Sequence, residues 1–297
     1  MITLKTSKSQ VKIFPSLGGV LGDLLLSNED KTCHVLDTYQ QIDDLEAKAA
    51  YKSHFLLPFP NRMKDGKYNF YGSSYQFPVN DTRLGHSLHG FLDTIPMQVI
   101  IQKSDEKEAT VELQGDFSGN DYYPFSFEIN TTYTLRHSEL IVLIKIKNTG
   151  NSKMPIGFGW HPYFKIDNTT IDDFKMQLPD CRLVELDERM MPTGETVPFH
   201  TFSTLKAIGD KHFDNCFILE SNSDKRATIQ LQSKTKTLSI WQETAAFPYF
   251  QIYTPENRQS IAIEPMTCNI DAFNNENGLW VLDSEKDKQF TFGIKLT

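Results

Sequence analysis

The chain has 297 residues, 39% of them hydrophobic and 23% charged, with a formal net charge of -8 at neutral pH. That length and apolar content support a sizeable core. The acidic balance without any Lys/Arg run argues against a nucleic-acid partner and, less strongly, against a phosphorylated substrate.

The opening Met1-Ile2-Thr3-Leu4-Lys5 runs straight into polar Thr6-Ser7-Lys8-Ser9, so no signal-type apolar core is read there. No stretch approaches the roughly 20 apolar residues of a spanning helix, which sets a membrane partner aside. Cys33, Cys181, Cys216 and Cys268 lie far apart with no Cys-x-x-Cys spacing, neither a zinc site nor a disulfide framework. The expected location is cytoplasmic. A short helix is expected around residues 43–50, where Asp43 could cap it and Glu46 follows three residues later, before Ala47, Ala49 and Ala50.

Beyond that point the dominant period is two. Residues 97–101 face 110–113 across the charged turn 104–107. Phe125, Phe127, Ile129, Thr131, Tyr133 and Leu135 alternate with polar residues, and the apolar run 140–147 follows a polar turn, which predicts an antiparallel hairpin. The pattern returns in 227–231 against 238–241, and in Phe290, Phe292, Ile294 and Leu296. Many strands with frequent polar turns predict an all-β fold, a large antiparallel β-sandwich with one or two short helices. With no long linker, repeat or low-complexity segment, residues 1–297 read as a single domain.

A few polar residues fit this scaffold poorly. His161 sits between Gly157-Phe158-Gly159-Trp160 and Pro162-Tyr163-Phe164, where an apolar residue would cost less if packing were its only role. His89 lies in Gly85-His86-Ser87-Leu88-His89-Gly90, and His86 is equally placed there. Glu264 follows Ile261-Ala262-Ile263, on the opposite face from Ile263, and Pro265 is expected to end that strand. Partial desolvation there would raise its pKa toward that of a useful base. Asn61-Arg62 follows Pro58-Phe59-Pro60, and Asp214 sits in His212-Phe213-Asp214-Asn215. Metal-ligand spacings, a dinucleotide-type Gly-x-Gly-x-x-Gly and a Gly-x-Ser-x-Gly elbow are all missing from the sequence. Two histidines and a carboxylate can move protons without metal or organic cofactor, and none is expected.

The ordered set Asn61-Arg62, Leu88-His89-Gly90, His161-Pro162-Tyr163-Phe164, Phe213-Asp214 and Glu264-Pro265-Met266-Thr267 resembles the aldose 1-epimerase (galactose mutarotase) family. Gly66-Lys67-Tyr68-Asn69-Phe70, Gln251-Ile252-Tyr253-Thr254-Pro255 and Asp271-Ala272-Phe273-Asn274 extend the match. Trp160 and Phe91 stand where many members have Asn and a second Gly. The resemblance implies a galactose mutarotase-like sandwich with a sugar cleft on one face and an aldohexose substrate, in a monomer or homodimer. It makes Glu264 the general base and His161 the general acid, with Asn61, Arg62, His89 and Asp214 binding the sugar. The implied reaction is interconversion of α and β anomers of a free hexose.

Two rivals are a hexose-6-phosphate 1-epimerase and a non-catalytic sugar-binding protein of the same fold. Against the first, Leu92-Asp93 is expected to place an acid beside the site. Against the second, binding alone needs no acid–base pair. Acting on one sugar, His161 and Glu264 should face each other across a gap of ~5–7 Å, each within hydrogen-bond reach of a different oxygen. Trp160 or Trp241 could stack on the sugar, with core packing the simpler role for each.

Overall fold

The computed structural model describes residues 1–29, 31–39, 44–45, 47–166, 169–220 and 224–297. Its largest sheet has nine strands, running in space from the edge strand Gln98–Ser104 through Glu108–Phe117, Phe127–Arg136, Glu139–Asn148 and Asp287–Leu296 to Thr237–Glu243 and Arg226–Gln232, then Lys175–Gln177 and Lys206–Ala207. The second has eight strands. Pro192–Phe199, Cys181–Leu186, Asp214–Leu219, Tyr249–Tyr253, Ile261–Met266, Gly159–Trp160 and Phe55–Leu56 follow in order, and Tyr163–Phe164 pairs with Ile261–Met266. Neighbouring strands are antiparallel throughout both sheets, as the expected fold requires.

The expected alternation sets the register. Ile129 opposes Ile146, Thr131 opposes Ile144 and Tyr133 opposes Val142, all with buried side chains. Aromatic rings join the two sheets face to face: Phe158 lies 5.1 Å from Phe290, and Trp160 lies 5.2 Å from Phe292, centroid to centroid. Trp160 is therefore core, and Trp241 is buried with the Arg226 guanidinium over its ring, so neither tryptophan is a cleft platform.

Among the described residues, helix is confined to short pieces, such as the four residues Ala272–Asn275. Of the helix expected near residues 43–50, Asp43 and Glu46 lie outside the described residues, and Ala49–Tyr51 forms a single 3-10 turn. No helix among the described residues is long and apolar enough to cross a membrane.

One strand departs from expectation. Ile261–Met266 runs through Pro265, which pairs with Phe250 instead of ending the ladder. Its missing N–H falls on the side of Gly159–Trp160, between the Ile263 N–H bond to the Pro162 carbonyl and the Thr267 N–H bond to the Phe158 carbonyl. That side of the ladder is already interrupted at His161-Pro162, so the proline costs one bond and leaves the strand intact.

The Thr131 hydroxyl is buried in the apolar row without a hydrogen-bond partner. Thr131→Val should therefore hold or raise stability, by up to about 1 kcal/mol, because it removes a desolvated polar group at nearly constant shape. Ile144→Ala, directly opposite, should cost about 2–5 kcal/mol. Urea denaturation decides both, and a Thr131→Val variant destabilised as much as Ile144→Ala would refute the reading.

Candidate active site

Register on the eight-stranded sheet builds the floor of the site. Gln251 opposes Glu264, Tyr253 opposes Ala262, and Asp214 opposes Tyr253. On the other side Gly159 opposes Met266 and Tyr163 opposes Ala262, which sets His161 across from Glu264. His161, Glu264 and Gln251 thus form one cross-strand row, and Tyr163, Ala262, Tyr253 and Asp214 form the next. Side chains alternate along each strand, so both rows share a face. Ile261, Ile263, Phe250 and Ile252 turn the other way and are fully buried.

Asn61, Arg62 and His89 form a wall. The short strands Arg62–Met63 and Ser87–Leu88 pair antiparallel, with Arg62 opposite Leu88. Asn61 and His89 both take left-handed backbone (φ 59° and 67°), and the His89 N–H donates to the Asn61 carbonyl at 2.9 Å. In return the Asn61 N–H donates to His89 Nδ1 at 3.2 Å. A neutral ring that accepts at Nδ1 carries its proton on Nε2. Burial, with the nearby His161 and the Arg62 charge adding, holds this imidazole well below its usual pKa and so neutral. Gly90 allows the turn, since a Cβ there would stand 2.1 Å from the Leu57 carbonyl oxygen.

His86 and His89, equivalent in the sequence, separate here. His86 accepts from the Asp65 N–H at Nδ1 (3.1 Å), and its Nε2 lies 3.1 Å from the Arg189 carbonyl, which makes it a buried fastener of two loops. Asn61, Arg62, His89, His161, Asp214 and Glu264 all line one cleft of about 570 Å³.

Polar links fix the wall and floor. Arg62 Nε donates to Asp81 Oδ2 at 3.1 Å. Gln251 donates to Asp214 Oδ1 at 2.9 Å and accepts from Asn61 Nδ2 at 3.4 Å. The buried His161 and Glu264 approach to 3.3 Å, Nε2 to Oε1, with His161 stacked on Tyr163 at 5.2 Å and edge-on to His89 at 5.1 Å.

The expected sugar-wide gap between His161 and Glu264 is not there. The His161 N–H bonds the His54 carbonyl and its own carbonyl accepts from Ser53, so the backbone turns away from Glu264. That leaves a non-hydrogen-bonded cross-strand pair, the kind whose side chains lie closest. Asp93 also departs from expectation. It does not line the cleft but lies buried behind it, 2.8 Å from Lys48 Nζ.

Burial pushes the His161 imidazole down to about 3, its own backbone opposing the shift and His54 adding to it. Burial likewise holds the Glu264 carboxyl well above its ordinary range, with Asp214 adding and Arg62 opposing. Both shifts point to a pair that carries one proton and no net charge at neutral pH.

Tyr51, Arg83, Tyr163, Gln251, Tyr253 and Glu256 also line the cleft. For Gln251 and Tyr253 the signal was period two, which sets them on one face of a strand. Tyr51 carries no such signal, because it reaches the cleft from an irregular segment with left-handed backbone (φ 52°).

A titration tests the buried imidazole. A His whose pKa is lowered on folding gives its full stability above its unfolded pKa and loses it as pH falls toward the folded value. Between about 6.5 and about 3, wild type should therefore lose stability relative to His161→Asn, on the order of 1 kcal/mol per pH unit. Parallel stability–pH curves from denaturant titrations would contradict a neutral buried His161.

Residues 1–295 match the sequence model of the family described as aldose 1-epimerase. The uncharacterized protein YihR of Escherichia coli K12 is 29% identical over 266 residues, covering 84% of this chain and 80% of YihR. Mouse galactose mutarotase is 23% identical, over 76% of this chain and 68% of its own length. A galactose mutarotase-like protein from Clostridium acetobutylicum superposes with a TM-score of 0.88 at 20% identity, covering 99% of this chain and 94% of its own. A galactose 1-epimerase from Lactobacillus acidophilus gives 0.81 at 18% identity, covering 99% and 93%. These structural likenesses carry the sandwich fold, and the match along nearly the whole sequence carries the lineage: the chain belongs to the aldose 1-epimerase family.

Proposed function

We propose that the cleft interconverts the α and β anomers of a free aldohexose by acid–base ring opening and closure. The observation that carries this reading is the 3.3 Å approach of His161 Nε2 and Glu264 Oε1 at the floor of a polar cleft, in a setting that favours one proton for the pair.

Ring opening needs a base at the anomeric hydroxyl and an acid at the ring oxygen. The Glu264 carboxylate takes the O1 proton while the His161 imidazolium gives its Nε2 proton to O5. The C1–O5 bond breaks, and its electron pair leaves with O5 as C1 becomes an aldehyde. The end group rotates about C1–C2. O5 then attacks the other face of C1, Glu264 returns its proton to O1, and His161 recovers one from O5.

Opening and closure exchange the pair between two forms, carboxylate with imidazolium and carboxylic acid with imidazole. Both hold one proton, so no net charge enters or leaves the buried site. Each such group contributes typically ~10²–10⁴-fold.

Arg62, His89 Nε2–H, Asn61 and Asp214 supply donors and acceptors suited to ring hydroxyls, and charge-assisted bonds from Arg62 and Asp214 fix the ring. Tyr51, Tyr163 and Tyr253 offer flat apolar surface. A neutral sugar fits this lining better than a phosphorylated one. The cations are Arg62, already paired with Asp81, and Arg83, and they share the cleft with Asp214, Glu256 and Glu264.

Polarimetry on freshly dissolved glucose, galactose, xylose and glucose 6-phosphate tests the proposal, with the largest acceleration expected on a free sugar. His161→Asn and Glu264→Gln should each slow mutarotation by about two orders of magnitude or more with the fold intact. Near-wild-type kinetics in either variant would dismiss the acid–base assignment.

Arg62→Ala and Asp214→Ala should raise KM, and lower kcat as well where these groups hold the ring in the transition state. Unchanged constants in both variants would make the two residues ordinary cleft charges.

A further inference from the structure

At the edge of the cleft, which Ala50 and Tyr51 line, residues 48–54 follow an unusual path. Lys48, Ala50, Tyr51 and Ser53 all take left-handed backbone, with φ of 55°, 56°, 52° and 61°, and none is glycine. A segment with so many disfavoured conformations persists only where its surroundings over-determine it.

The segment also serves both cleft histidines. The Tyr51 ring packs at 4.7 Å on His89. The Ser53 N–H donates to the His161 carbonyl at 2.8 Å, and the His161 N–H donates to the His54 carbonyl at 2.9 Å. The Trp160 indole N–H adds a bond to the Ser53 carbonyl at 3.2 Å.

The Asp93 carboxylate meets both ends of this segment. Its Oδ2 lies 2.8 Å from Lys48 Nζ and 3.5 Å from His54 Nδ1. Other tethers each hold one point: Lys52 Nζ to Asp37 Oδ2 at 2.9 Å, Asn80 Nδ2 to the Tyr51 hydroxyl at 3.0 Å, and the Tyr39 hydroxyl with His54 Nε2 at 3.1 Å. Asp93 itself is buried in the 3-10 turn Leu92–Thr94, which follows directly on His89-Gly90-Phe91. The clamp is thus anchored on the same stretch of chain that carries His89.

We propose that Asp93 is a positioning residue whose carboxylate clamps the two ends of segment 48–54, holding Tyr51 against His89 and His161 at its place on the cleft floor. It touches no substrate and acts through the segment. The catalytic consequence rests on the anomer-interconverting reading of the cleft, whereas the mechanical one does not.

Two measurements on Asp93→Ala, Asp93→Asn and Lys48→Met separate these. In hydrogen exchange, Asp93→Ala should speed the amides of residues 48–54 and of His161 by about tenfold or more, leaving Ile261–Met266 protected. In polarimetry the same variant should lose about tenfold or more in kcat with KM within about threefold, because misplacement affects the transition state more than ground-state binding.

Asp93→Asn keeps a polar oxygen of the same reach facing Lys48 and His54 and should recover part of both effects. Lys48→Met, which cuts only one arm near the surface, should show a smaller change in the same direction and add nothing to Asp93→Ala. Unchanged exchange and kcat in Asp93→Ala would overturn the clamp. Faster exchange spread equally into Ile261–Met266 would also overturn it, since Asp93 would then be supporting the fold at large. Loosening confined to 48–54 and His161, in a protein that accelerates no sugar's mutarotation, would uphold the clamp and sink the proposed reaction.

Discussion

The pairing of strand Ile261–Met266 with its two neighbours is the constraint on which the site depends. A slip of one residue would carry Glu264 into the sandwich core and bring Ile263 into the cleft, since successive side chains on a strand point to opposite faces. The slip is opposed by burial of Ile261, Ile263, Phe250 and Ile252 on the core side, each fully enclosed. Hydrophobic register between sheets therefore fixes the polar register of the floor, and His161, Glu264 and Gln251 fall into one row as a consequence of apolar packing.

Much of this was legible in the chain, for an identifiable reason. Period-two alternation is local, so the hairpin of Phe127–Arg136 with Glu139–Asn148 could be read from its own residues. The face on which Glu264 lies followed from the same rule. What local pattern could not supply was the distance between side chains that meet across strands. Whether His161 and Glu264 stand apart or touch depends on which way the His161 backbone turns its N–H, and its partner is His54, more than a hundred residues away in sequence. Asp93 misled for a similar reason. Only Phe91 and Leu92 separate it from Gly90 along the chain, yet the 3-10 turn at Leu92–Thr94 takes its carboxylate behind the cleft, to Lys48. Pro265 was expected to end a strand because proline cannot donate to a ladder, and the ladder on that side was already open at His161-Pro162.

The two prolines and the histidine between strands form one arrangement. Pro162 and Pro265 each lack an N–H, so the pairing between 159–164 and 261–266 is thin where Glu264 sits. His161 makes its backbone bonds with residues 53 and 54 instead. The ring is therefore held from behind while its Nε2 approaches Glu264, which a fully bonded central ladder would achieve only through the intrinsic spacing of its pairs.

Burial then determines the electrical state of that contact. A lone carboxylate or imidazolium at this depth is disfavoured, and each group shifts toward its neutral form. Neutrality at rest is compatible with acid–base work because the two groups are adjacent: moving one proton from Glu264 to His161 creates both reactive forms without changing the total charge of the site. The cost of separating charge is met locally. Arg62 favours the Glu264 carboxylate and Asp214 disfavours it, so the wall and floor residues assigned to the sugar's hydroxyls in the proposed reaction are also those that bias the proton's position. In the proposed reaction, a sugar that engages Asp214 and leaves the Arg62 charge in place would shift that balance toward the carboxylate, coupling its binding to the arming of Glu264 as base.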